Sequence, residues 1–149
     1  MTATNHALSG ALIGLSVTNP VIGLPLALAS HFVLDAVPHF GIKFYESEKK
    51  RRLFHRYLFI DASLLAVVIL SLYLAGAGWL VFACLFLAGC PDFVQAYKYL
   101  FKPKFRKKPT HEHWFTRFHK NIQKSETEKG IFVEIPLAMI FVFAIAHLL

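Results

Sequence analysis

The sequence predicts an all-α membrane protein. The expected form is a polytopic bundle of about five helices, two hairpins plus a C-terminal helix, with a short cytoplasmic amphipathic helix. Three observations predict it. Hydrophobic residues make up 56% of the 149-residue chain and aromatics 15%, with a mean hydropathy of +0.50, more apolar than ordinary soluble composition. The apolar runs approach the ~20 residues needed to cross a bilayer. All sixteen Lys and Arg fall in two stretches, Lys43 to Arg56 and Lys98 to Lys129, which flank those runs. A net charge of +7 would suggest nucleic acid in a soluble protein. Beside apolar runs it fits cytoplasmic orientation and anionic lipid headgroups instead, so membrane lipids are the expected partners and no nucleic acid is expected.

Residues 1–149 read as a single integral membrane domain, with basic cytoplasmic loops at 43–57 and 98–129. The first helix spans Asn5 to Val17 and carries Gly10-Ala-Leu-Ile-Gly14, spacing that lets another backbone approach closely. Thr18-Asn19-Pro20 is a turn, with Asn19 as N-cap and Pro20 at the first helical position. The second helix is expected to reach His39 or Phe40, with Pro25 and Pro38 able to kink or shorten it and Gly41 as the stop. The third starts near Leu58 and ends at the tight turn Ala75-Gly76-Ala77-Gly78. The fourth runs from Trp79 to Pro91, or to Leu100 with a kink. His111 to Lys124 forms the amphipathic segment, with Trp114, Phe115, Phe118 and Ile122 on one side. Ser125-Glu126-Thr127-Glu128 matches a capping box that opens the last helix. Cys84 and Cys90 read as packing residues and imply no disulfide framework. The N-terminus lacks the basic start and cleavage site of a signal peptide, so insertion is expected to use the helices themselves. The charge bias puts the N-terminus and basic loops in the cytoplasm and the C-terminus outside.

The apolar segments keep His6, His31, Asp35, His39, Asp61, Asp92 and Glu134, yet contain no Lys or Arg. Ionisable groups in apolar helices are costly and are read as functional by default. Carboxylates without a cation must protonate or find another positive charge. Mixed with imidazoles, they suggest a divalent metal, as one or two ions; Zn, Fe, Mn and Ni all suit such donors. In antiparallel hairpins around the two turns, His6 lies level with His31 and Asp61 level with Asp92. Each pair is about 12–16 residues from its turn, ~18–24 Å at 1.5 Å per residue. His31, Asp35 and His39 share one helical face at i, i+4 and i+8 if the helix continues past Pro38. Glu134, on the cytoplasmic half of the last helix, and His119, in the adjoining cytoplasmic segment, join the same end.

The segment Ser30-His-Phe-Val-Leu-Asp-Ala-Val-Pro-His39, with the early Asn5-His6-Ala-Leu-Ser-Gly10, resembles bacterial membrane-bound metal-dependent hydrolases, the LexA-binding, inner-membrane-associated family. It is more loosely similar to zinc-dependent phospholipase C. The chain has Asp35-Ala-Val-Pro-His39 and a separate Pro91-Asp92 in place of the family's Pro-Asp-x-Asp-His element, and only His119 in place of its His-Arg-Gly-x-Thr-His element. The resemblance implies His6, His31, Asp35 and His39 as metal ligands, with Asp92 and His119 beside them and zinc as the first candidate ion. Asp61, Glu134 and His119 are the expected acid–base groups. The expected activity is hydrolysis of a phosphoester in an anionic amphiphilic substrate at the cytoplasmic face of the inner membrane. A divalent-metal or proton transporter and a membrane scaffold with a structural metal are the alternatives. The chain has no P-loop, nucleophile elbow or Rossmann fingerprint.

Overall fold

The computed structural model describes residues 1–42, 47–101 and 114–149, with backbone alone for 94–101, 116 and 120. The chain is mostly helical. Its elements are α1 (Ala3–Ser16), α2 (Pro20–Ala36), a two-residue strand β1 (His39–Phe40), α3 (Glu48–Leu74), α4 (Trp79–Phe101), α5 (Trp114–Ile122), a second short strand β2 (Glu126–Thr127) and α6 (Ile131–Leu148). Turns of 3₁₀ helix at Gln123–Ser125 and Glu128–Gly130 flank β2. Of the basic stretch from Lys98 to Lys129, residues 102–113 lie outside the described residues, His111 and His113 among them.

α1 is the centre, packed against α2, α3, α4 and α6. Its small residues explain the closest of these contacts. A Cβ on Gly10 would run into the Cys84 carbonyl and Ala88, and one on Gly14 into the Val81 backbone. The two glycines therefore let α1 and α4 meet backbone to backbone. Ala7, Leu8 and Ala11 of α1 build the apolar core with Leu72, Val81, Leu85 and Ile145. Cys84 is a buried free thiol in the same layer. α3 makes its principal contacts with α1 rather than with its sequence neighbour α4, among the described residues.

Local chemistry sets most helix ends. Asn19 Oδ1 accepts from the Val21 amide at 2.9 Å, with Pro20 at the first helical position. α3 closes on Gly76, whose φ of +75° is left-handed. The Gly76 amide donates to Tyr73 and the Ala77 amide to Leu72, each at 3.0 Å, a paired helix stop.

Three expected boundaries move. α2 ends at Ala36, because Val37 precedes Pro38 and is extended at φ −75°, ψ 147°. His39 thus leaves the helix and enters β1, which pairs in parallel with β2 through His39↔Glu126 and Phe40↔Thr127. α3 starts at Glu48, well before Leu58. Ser47 caps it by accepting from the Lys50 amide at 3.2 Å, and no breaker interrupts Glu48 to Tyr57. Much of the expected 43–57 loop is therefore helix. The expected capping box at Ser125 instead folds as 3₁₀ turns around β2, with no side-chain cap at Thr127. Gly130 is pressed against the His39–Phe40 peptide there, an approach that a Cβ would block.

Among the described residues, two helices are long and apolar enough, by length and composition, to cross a membrane. An 18-residue window in Glu48–Leu74 has hydropathy 2.2 and is 6% buried, and one in Glu128–Leu148 has hydropathy 2.3 and is 11% buried. The protein's own mass shelters neither, which distinguishes both from the core helix of a soluble domain. Pro20–Ala36 and Trp79–Phe93 are apolar but shorter.

Candidate metal centre

The N-terminal half of α1 is unusually polar for the middle of a fold. Thr4, Asn5, His6 and Ser9 are all buried. Two carboxylates from other helices hold this end in place. α1 has no side-chain cap of its own at Thr2. Asp61, from α3, accepts instead from the Ala3 amide at 2.9 Å, the Thr4 amide at 3.1 Å and the Thr4 hydroxyl at 2.6 Å. Glu134, from α6, accepts from the Thr2 amide and from Asn5 Nδ2, each at 3.2 Å, and from the Phe40 amide at 2.9 Å. Negative charge at a helix N-terminus satisfies amides that have no intrahelical partner and opposes the helix dipole favourably.

Held in this way, α1 presents His6 to the end of α2. The His6 and His31 rings stack with centroids 4.0 Å apart and planes 23° apart, so the two residues are level, as the turn spacing predicts. One turn on, Asp35 is fully buried. α4 supplies Asp92 just after Pro91, and α5 supplies His119. Ligand-type atoms of His31, Asp35, Asp92 and His119 all lie within 4.8 Å of one another, a group that could hold a metal ion.

The contacts centre on Asp35. Its Oδ2 is 2.8 Å from His119 Nε2 and 3.3 Å from His31 Nε2, while its Oδ1 is 3.2 Å from His6 Nε2. The Met1 amino group donates to the same Oδ1 at 2.6 Å, and Gln123 Nε2 donates to Oδ2 at 3.0 Å. Asp92 stands slightly further off. Its Oδ2 is 3.7 Å from His6, and its Oδ1 is 3.9 Å from His31 and 3.8 Å from His119. The Asp92 side chain is 26% exposed, while Asp35 and the three imidazoles are at most 2% exposed. Asp92 therefore marks the side from which the centre is reached.

Protonation is constrained at His31. Its Nδ1 lies 2.8 Å from the Ala88 carbonyl, which can only accept, so Nδ1 carries the hydrogen. In the neutral ring, Nε2 is then a bare lone pair, aimed at His119 Nε2 at 2.9 Å and at the Asp35 carboxylate. His6 is starker. Among the described residues both of its ring nitrogens are buried without a well-aligned hydrogen bond, although Nε2 lies 3.2 Å from Asp35 Oδ1. Acceptors that converge in a dry interior need positive charge among them, and the Met1 ammonium supplies it at Asp35 Oδ1, on one side of the cluster. The donor set of imidazole and carboxylate, with a carbonyl orienting one imidazole from behind, fits a divalent cation.

Several expected roles shift. His39 is buried, but its Nδ1 bonds its own neighbour's Val37 carbonyl at 2.8 Å, and it stands outside the metal-ligand group because α2 has already ended. Asp61 and Glu134, expected as acid–base groups, have their carboxylates engaged by α1 amides and side chains, a holding role. His119, also expected there, points its Nε2 into the ligand group. Gln123 escaped the sequence reading, although it follows His119 by one helical turn and so shares its face. Thr4 and Asn5 also escaped, since their work depends on partners far along the chain.

Comparison with family models, with curated proteins and with solved structures finds no match.

Proposed function

We propose that the chain is a metal-dependent hydrolase of the inner membrane that acts on a phosphoester of an amphiphilic, lipid-like substrate at the cytoplasmic interface. The observation that carries it is the convergence of His31, His119, Asp35 and Asp92 on one point, where Asp92, 26% exposed, is the most accessible of the four among the described residues. Those four residues would hold a divalent ion, zinc being the first candidate. A bound ion of this kind supplies Lewis acidity and lowers the pKa of water toward neutrality. The protein's own residues do the rest. The Ala88 carbonyl fixes the His31 ring, and Gln123 fixes Asp35. Burial of the imidazoles keeps bulk water from all but one side. Phe93, next to Asp92 in sequence, is an exposed apolar residue, of the kind an acyl tail would contact. The basic stretches attract an anionic headgroup through screened Coulomb forces.

The membrane setting is supported by α3 and by α6 with its leading turn, whose apolar windows face outward. The resemblance of Ser30–His39 to membrane-bound metal-dependent hydrolases agrees with both halves of the reading. An accessibility label at Ser47 should report cytoplasm and one at Leu149 the outside. The decisive experiment uses purified chain in lipid nanodiscs. His31→Ala and Asp35→Asn should each lower metal content and abolish turnover of a lipid-headgroup phosphoester while leaving the protein inserted. Absence of hydrolysis with Zn, Mn, Fe and Ni, together with Asp35-dependent movement of divalent ions into liposomes, would replace the enzyme with a transporter. Retained metal with neither activity would make the ion structural.

A further inference from the structure

Resting on the metal reading above, we infer that the centre is built for two ions bridged by Asp35 and Asp92, with His6 serving one ion and His31 with His119 serving the other. The two carboxylates are divided in the same way. Asp35 turns Oδ1 to His6 and Oδ2 to His31 and His119. Asp92 turns Oδ2 to His6 and Oδ1 to His31 and His119. The cluster thus has two lobes, each containing imidazole nitrogen and one oxygen from each aspartate, and in the His6 lobe the Met1 ammonium, 2.6 Å from Asp35 Oδ1, stands on the oxygen that an ion there would have to take over. A carboxylate that offers separate oxygens to separate ligand sets is placed to bridge.

His6 supplies an independent reason. One tetrahedral ion on His31, His119, Asp35 and Asp92 has a full set of four ligands. It would leave His6 Nδ1 buried without a partner among the described residues and Nε2 with only the Asp35 Oδ1 at 3.2 Å, short of a well-aligned hydrogen bond. A second ion gives His6 Nε2 a partner. The near-parallel stack of His6 on His31, centroids 4.0 Å apart, sets the two imidazoles side by side. That separation suits ions about 3.5–4 Å apart, the spacing of two-metal phosphoester sites.

The test needs no variant at first. Metal-free full-length chain in neutral-lipid nanodiscs is loaded with Zn²⁺ for stoichiometry by native mass spectrometry, and with Mn²⁺ for electron paramagnetic resonance. Two ions per chain are expected, with a spin-coupled Mn²⁺ signal. His6→Ala should then hold one ion and give an uncoupled signal, and His6→Asn, smaller in perturbation, should do the same with helix content unchanged. One ion per chain in the unmodified protein, or two without spin coupling, overturns the inference while leaving a metal centre. No bound ion at all overturns both readings. Two coupled ions without hydrolysis sustain this inference and remove only the hydrolase.

Discussion

α1 and α3 lie against each other, yet they distribute polarity in opposite ways. α1 is short and central, and it buries Thr4, Asn5, His6 and Ser9. α3 has 27 residues, of which Leu72 is the buried one, and it leaves Leu64, Val67 and Leu70 exposed. Water would favour the reverse arrangement. In the lipid setting proposed above, the apolar face of α3 needs no protein cover, while each polar group inside must find a partner within the protein. The interior meets that demand through acids lent by the outer helices, Asp61 from α3 and Glu134 from α6. The outer helices thus support the inner one chemically as well as sterically.

Substitutions on the two sides should therefore behave differently, and the largest effect belongs inside. Glu134→Ala removes the acceptor for the Thr2 and Phe40 amides and for Asn5 Nδ2. At 1–3 kcal/mol for each buried donor left unpaired, a loss of about 4 kcal/mol is expected, measured as thermal unfolding in detergent. A loss under about 1 kcal/mol would mean that water reaches this end of α1. Next comes Val67→Arg, outside on α3. A central Arg in a spanning helix costs about 3 kcal/mol of insertion, so the membrane-integrated fraction should fall in an insertion assay. If α3 faces water instead, the change will be nearly silent, and the contrast between the helices collapses.

Asp61→Ala removes a cap rather than a buried link. Asp61 is half-buried, so the loss should be about 1–2 kcal/mol, with metal content retained in elemental analysis. Loss of metal in that variant would return Asp61 to the site. The smallest effect is expected at Met139→Leu, on the exposed face of α6, within about 0.5 kcal/mol. A larger loss in the unfolding assay would point to a protein neighbour covering that face.

The parts legible in the sequence were those fixed by short-range chemistry. Asn19-Pro20 and Gly76 mark their turns by backbone preference, and the turns in turn place His6 opposite His31. Gly10 and Gly14 announce a close approach, although only the fold names α4 as the partner. Illegible parts depend on contacts between distant segments. Nothing near Asp61 says that its oxygens will meet the amides of Ala3 and Thr4, 58 and 57 residues away. The β1–β2 pairing is hidden for the same reason, since two residues carry no periodicity. Pro38 was legible as able to kink or shorten α2, and the restriction it places on Val37 ends the helix at Ala36, before His39 can share the face of His31 and Asp35.

The bond from the Thr2 amide to Glu134 joins residues 132 apart, and this gives the fold a clock. Ribosomes add roughly 5–20 residues per second. The first helix would therefore wait on the order of ten seconds before the acid that steadies its leading end exists. During that interval the Thr2 amide lacks its acceptor, and Asp61 is the acid that can hold the start of α1. The group of His31, Asp35, Asp92 and His119 is likewise complete only once α5 has been made.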